Sequence, residues 1–186
     1  MNVPTLENDD FFHYMIEVTG AKTYLELFGG TGERTIRPLV DRCEVTTAET
    51  NEEKRQVLRA SFPSITVFEN FQQISPEARF DLVCADPYIG SWSSQHQRNV
   101  LTLSMAHENL KSWPVKGLIT YAPHDIEGYV RRCNADLSNV PNLEDDAETL
   151  FGSRKPTLED VARVYGGELV AIRKGNHDLI YAGFRL

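Results

Sequence analysis

Thr23-Tyr24-Leu25-Glu26-Leu27-Phe28-Gly29-Gly30-Thr31-Gly32 begins as a short apolar strand and breaks into glycines. It runs straight into Glu33-Arg34-Thr35-Ile36-Arg37-Pro38-Leu39-Val40, which reads as a helix. Gly30 and Gly32 carry no Cβ, so the backbone of this turn can approach a ligand closely. The helix behind it offers unpaired N–H groups in its first turn. Glu26 stands just before the turn, where a carboxylate can accept from a cationic or hydroxyl-bearing ligand. A phosphate site is less natural. No Lys follows the glycines, and the spacing is neither that of a P-loop nor the G-x-G-x-x-G dinucleotide fingerprint. A glycine-rich strand-to-helix turn also serves simply as a tight connection, and that reading stands beside the ligand-binding one.

Outward from this turn, strands and helices alternate. Residues 5 to 19 carry Leu6, Phe11, Phe12, Met15 and Ile16 at helical spacing and stop at Gly20, which predicts an N-terminal helix on the edge of a sheet. Glu44 to Glu49 reads as the second strand and ends in an acid. Thr50 is placed to cap the next helix, with Glu53 three residues on, and Val57, Leu58 and Phe62 facing inward. Ile65 to Phe68 and Phe80 to Ala85 are further strands, the latter leading into Asp86-Pro87-Tyr88. A helix around Gln97 to Leu110 precedes a strand from Gly117 to Ala122. Residues from about 124 to 155 are polar and weakly periodic and read as an insertion at the functional edge. Pro156-Thr157 opens an amphipathic helix ended by Gly166-Gly167. Two closing strands, Glu168 to Ile172 and Leu179 to Leu186, form a hairpin. This order predicts one α/β domain over residues 1–186, with a mostly parallel sheet, an antiparallel C-terminal hairpin and helices on both faces.

Composition narrows the function. Of 186 residues, 41% are hydrophobic and 25% charged, as in an ordinary globular domain. No apolar run reaches membrane-spanning length, and no basic-then-apolar leader opens the chain. Cys43, Cys84 and Cys133 lie far apart without a C-x-x-C pair, which points to a reducing, cytoplasmic compartment. The five histidines have no metal-ligand spacing, and no metal is expected. The net charge of −8 argues against tight autonomous binding of a nucleic acid backbone, although Arg131-Arg132, Arg154-Lys155 and Arg173-Lys174 form local basic clusters.

In an open parallel sheet, ligands bind beyond the carboxyl ends of the strands, and those ends carry unusual residues here. Glu49 follows the glycine turn by about 20 residues, where a carboxylate can take both ribose hydroxyls of a nucleoside. It could equally favour the N-terminus of the helix behind it. Asp86-Pro87 sets a carboxylate at the end of a strongly apolar strand, which packing alone explains poorly; a turn using the pair for geometry is the plainer alternative.

With Glu26, Phe28, Gly30 and Gly32 in the form acid-x-Phe-x-Gly-x-Gly, the turn resembles the first motif of class I S-adenosylmethionine-dependent methyltransferases, in the version found in amino-methyltransferases that modify nucleic acid bases. The element order is similar to the seven-stranded Rossmann-like fold of that family over nearly the whole chain. The resemblance implies S-adenosylmethionine as cofactor, with Glu49 on its ribose. It also implies Asn70 on the adenine edge and Phe71 on the adenine face, though both could be ordinary loop and core. Asp86, Pro87 and Tyr88 resemble the family's Asp-Pro-Pro-Tyr motif. There the carboxylate and a proline carbonyl accept the protons of an exocyclic amine, and the aromatic ring stacks on the base. This chain has a single proline, so Tyr88 stands where the second proline is expected, and either Tyr88 or Trp92 is the stacking ring. The resemblance therefore implies methyl transfer to adenine or guanine. RNA is favoured over DNA because the chain leaves little room for a DNA target-recognition domain. A small-molecule or protein acceptor, and a non-catalytic subunit retaining the fold, are the alternatives. Oligomeric state is not legible.

Overall fold

The structure, a computed structural model, describes residues 3–27, 29–85, 110, 111, 113–123, 148, 151, 152, 157–174 and 179–186. Among the described residues eight strands form one sheet: β1 (Thr5–Leu6), β2 (Thr23–Glu26), β3 (Glu44–Ala48), β4 (Thr66–Phe68), β5 (Leu82–Ala85), β6 (Gly117–Pro123), β7 (Glu168–Lys174) and β8 (Leu179–Arg185). Their order is β1-β7-β8-β6-β5-β2-β3-β4. Both pairings of β8, with β6 and with β7, are antiparallel, and every other pairing is parallel. The fold is thus the expected Rossmann-like sheet with an antiparallel hairpin. Its antiparallel strand lies inside the sheet between β6 and β7, and an eighth strand, β1, forms the edge.

That edge strand corrects the N-terminus. Thr5 and Leu6 pair with Ile172 and Arg173, and helix α1 begins only at Asn8 and runs to Thr19. Its inward residues are Phe11, Phe12 and Met15, all fully buried.

Alternation along the central strands builds two cores, one on each face. Tyr24, Leu82, Cys84 and Ile119 face α1 and helix α2 (Glu52–Ser61), packing with Phe11, Phe12, Leu58 and Phe62. Leu25, Leu27, Val83 and Leu118 face the other way and pack with Phe71, Trp113, Phe151 and Val161 of helix α3 (Leu158–Tyr165). Burial on both faces explains why β2 and β5 read as continuous apolar runs.

The amino ends of the central strands are tied by Asp81. Its carboxylate accepts from the backbone N–H of Lys22 (2.8 Å) and of Thr23 (3.3 Å), and from Lys116 Nζ at 2.6 Å. With one end of β2, β5 and β6 fastened in this way, the opposite, carboxyl ends present the loops.

Segment 33–42 differs from the predicted helix: it is a run of turns. Pro38 has no N–H to offer the carbonyl of Arg34, so the helical ladder is interrupted. Asn8 Nδ2 donates to that carbonyl at 3.1 Å instead, which docks α1 against the segment. In α2 the cap is Asn51, whose side chain accepts from Lys54 N, and not Thr50. Val57 is 43% exposed, the reverse of its expected inward facing, and Arg55 is buried. In α3 the capping box is formed by Thr157 and Asp160. Among the described residues no helix is long and apolar enough to cross a membrane.

Candidate functional site

Strand β2 is the switch point of the sheet: the chain proceeds to β3 and β4 on one side and to β5 and β6 on the other. At its carboxyl end the ladder continues past Glu26, with Leu27 N donating to Cys84 O (3.0 Å) and Gly29 N to Ala48 O (3.3 Å). Gly32 N donates to Gly29 O at 2.8 Å and closes the glycine turn.

Three glycines serve this turn in different ways. Gly30 has φ +53°, and a Cβ there would meet no atom within 4 Å, so its bare face opens outward. Gly32 has φ +76°, and a Cβ there would lie 2.7 Å from Phe62 Cε2 and 2.9 Å from Leu58 Cδ2. Its missing Cβ lets α2 close onto the turn. Gly29, not singled out in the sequence, would set a Cβ 2.3 Å from Thr47 Oγ1. That hydroxyl donates to Glu26 O at 3.0 Å and fixes the end of β2 to β3. The signal was in view: a glycine directly before Gly30, where the turn leaves a buried strand.

Glu49 completes the turn from the neighbouring strand end. It is 9% exposed; Oε2 accepts from Gly30 N at 2.9 Å and Oε1 from Asn51 N at 2.8 Å. One carboxylate therefore joins the glycine turn to the start of α2. The bond to Asn51 N is the helix-start role; a carboxylate has about four acceptor positions, and two are used here.

Glu26 is 5% exposed, and the hydroxyl of fully buried Tyr24 donates to its Oε2 at 2.5 Å. Burial, with the neighbouring Cys84 and Glu26, holds the Tyr24 hydroxyl well above its ordinary range, so it stays a donor. Asn70 precedes a single 3₁₀ turn, Phe71–Gln73, and its side chain makes no capping bond there. Phe71 is 6% exposed and meets Trp113 edge to face at 5.8 Å, which places its ring in the core.

Glu26, Gly30, Gly32 and Glu49 are thus brought together at the carboxyl ends of β2 and β3. Phe28, Asp86, Pro87, Tyr88 and Trp92 lie outside the described residues, as does the expected insertion apart from residues 148, 151 and 152. Of these, Phe151 is buried in the core, and its carbonyl accepts from Arg163 Nη2 at 2.7 Å. Among the described residues no group of three or more His, Cys, Asp and Glu side chains could hold a metal ion.

These acceptors fit the hydroxyls of a nucleoside-bearing cofactor. An open backbone face at Gly30 stands beside the Glu49 carboxylate, and Glu26, a second buried carboxylate, ends β2 before the glycine turn.

No protein-family model matches the chain, and no curated protein matches it in sequence. Solved structures match over almost its full length. N-methyltransferase NodS from Bradyrhizobium japonicum, in complex with S-adenosyl-L-homocysteine, is similar at 15% identity and a TM-score of 0.58, covering 95% of this chain and 85% of that one. A candidate RNA methyltransferase from Pyrococcus horikoshii is 17% identical at a TM-score of 0.55, covering 95% and 83%. Magnesium protoporphyrin IX methyltransferase from Synechocystis, with bound S-adenosylmethionine, is 9% identical at a TM-score of 0.57, covering 96% and 77%. The chain therefore has the fold of class I S-adenosylmethionine-dependent methyltransferases.

Proposed function

We propose that the protein transfers a methyl group from S-adenosylmethionine to an exocyclic amino nitrogen of adenine or guanine, in RNA in preference to DNA. The observation that carries the cofactor assignment is the Glu49 carboxylate on Gly30 N at 2.9 Å, set at the switch point of this sheet. Glu49 would take the ribose hydroxyls, Gly30 and Gly32 would shape the backbone beside the methionine part, and Glu26 would face its ammonium. Phe28, Asn70 and Phe71 complete the proposed cofactor set. Bound S-adenosylmethionine supplies an electrophilic methyl on sulfur.

The acceptor half of the reading rests on the sequence Asp86-Pro87-Tyr88, which follows β5 directly. Asp86 and the Pro87 carbonyl would accept the amine's protons and aim its lone pair, and Tyr88 would stack on the base. Catalysis of this kind is positioning and electrostatic alignment, without a covalent enzyme intermediate. The N-methyltransferase and the candidate RNA methyltransferase among the similar folds support it. Three widely spaced cysteines without a C-x-x-C pair support a cytoplasmic setting.

A second reading keeps the cofactor and changes the acceptor to a small molecule or protein side chain. The net charge of −8 favours it, as does the porphyrin acceptor named for one similar fold. Calorimetric titration with S-adenosylmethionine and S-adenosylhomocysteine tests the cofactor; absence of binding at millimolar ligand leaves a non-catalytic fold. Transfer of labelled methyl to RNA, DNA and small amines, compared side by side, then decides the acceptor.

A further inference from the structure

Arg55 is a cation in the first turn of α2, where the helix dipole opposes positive charge. It is nonetheless 7% exposed, and a buried guanidinium is costly unless paired and hydrogen-bonded. Its partners explain the placement. Nη1 donates to the carbonyls of Glu49 (2.8 Å) and Thr50 (2.7 Å), and Nη2 donates to the Glu52 carboxylate. The guanidinium thus folds back over the short link between β3 and α2 and holds its main chain.

Glu49 is consequently fixed at both ends. Arg55 holds its carbonyl, while its carboxylate bridges Gly30 N and Asn51 N. An acceptor held in this way loses little freedom when a ligand hydroxyl arrives, and a fixed acceptor binds more tightly than one that must be ordered. We propose that Arg55 is a positioning residue for the ribose-binding carboxylate: it sets the Glu49 backbone so that the Glu49 side chain selects a ligand carrying vicinal hydroxyls. This rests on the nucleoside reading of Glu49 given above. Were Arg55 only a staple for α2, its loss would weaken every ligand alike.

The test is a binding cycle with S-adenosylhomocysteine and its 2′,3′-dideoxy analogue, measured on the wild type and on Arg55→Met, Arg55→Lys and Arg59→Met. Arg59 belongs to the same helix but donates to Val67 O at 3.4 Å, away from Glu49. The wild type should prefer the hydroxyl-bearing ligand by roughly a hundredfold, the scale of two hydrogen bonds to a charged group. Arg55→Met should compress that preference to about tenfold or less, since coupled groups fail to add. Arg55→Lys, which keeps the charge but lacks the guanidinium fork, should fall between, and Arg59→Met should match the wild type. Hydrogen exchange at the Gly30 amide gives a reading without ligand: it should quicken in Arg55→Lys and not in Arg59→Met. Equal weakening of both ligands with unchanged Gly30 exchange would overturn the role of Arg55 and leave the nucleoside site standing. Failure of the wild type to bind either ligand would overturn both.

Discussion

The carboxylate of Glu49 accepts a hydrogen bond from the backbone N–H of Gly30 at 2.9 Å, so the acidic end of one strand closes the glycine turn at the end of the next. The same side chain accepts from Asn51 N at 2.8 Å. Glu49→Gln should therefore be more disruptive than its shape suggests. Its amide has one acceptor oxygen, and its NH₂ would face one of two backbone donors. We expect binding of S-adenosylhomocysteine to weaken by about ten- to a hundredfold, on the scale of 1.5–3 kcal/mol for bonds to a charged group. Titration calorimetry measures it, and unchanged affinity would remove Glu49 from the site.

The glycines should separate folding from binding. Gly29→Ala puts a methyl group 2.3 Å from Thr47 Oγ1, so Thr47 must move and its bond to Glu26 O is strained. Overpacking of this kind costs about 1–3 kcal/mol in urea unfolding. Gly30→Ala meets no neighbour but retains φ +53°, and left-handed strain costs only about 1–2 kcal/mol. Gly30→Val should abolish cofactor binding while the protein stays folded, because its side chain enters the open face. A folded Gly30→Val that bound with wild-type affinity would show that the open face holds nothing.

Asp81 gives the fold a dependence on acid. The Lys116 ammonium bonded to it, followed by the Lys22 and Thr23 amides, lowers its carboxyl below the usual range against an opposing effect of burial. A carboxylate with a depressed folded pKa contributes stability that is fully present above the unfolded value of about 3.9 and is lost as pH falls through the folded value. Asp81→Asn should cost about 1–3 kcal/mol near neutrality. The gap to the wild type should hold down to about pH 5 and narrow below about pH 4. Urea unfolding at neutral pH and below pH 4 checks this; a gap independent of pH would mean that charge is not what Asp81 contributes.

What was legible in the sequence was what local pattern determines. Leu82–Ala85 reads as a buried strand because both its faces are apolar, and Glu49 stands out because an acid at such a strand end is chemically unusual. What was not legible depends on partners distant in sequence. Two residues, Thr5 and Leu6, become a strand only because Ile172 and Arg173 offer an edge. A terminal hairpin is visible locally, but nothing local says that β8 enters between β6 and β7. The burial of Arg55 was not legible, since two of its acceptors are main-chain carbonyls that carry no residue-type signal. Pro38 was in plain sight: its missing N–H was sufficient reason to doubt an unbroken helix over residues 33–40.

Asp86 tests the chemistry. If its carboxylate accepts a proton-bearing amine of the acceptor, it matters for turnover more than for cofactor affinity. Asp86→Ala should cut methyl transfer by at least about a hundredfold, the scale of losing one key polar contact in a transition state. S-adenosylhomocysteine binding should change only a few-fold, because the proposed ribose and adenine contacts lie just beyond β3 and β4. Tyr88→Ala should weaken acceptor binding instead, by about 1–3 kcal/mol for one stacked base. Both variants are needed, since lost activity alone could come from a damaged strand end, whereas retained cofactor binding reports an intact one. If Asp86→Ala left transfer to RNA unchanged, or if the parent methylated a small amine and no nucleic acid, the base-amine assignment would fall. The small-molecule reading, which the charge of −8 already favours, would replace it.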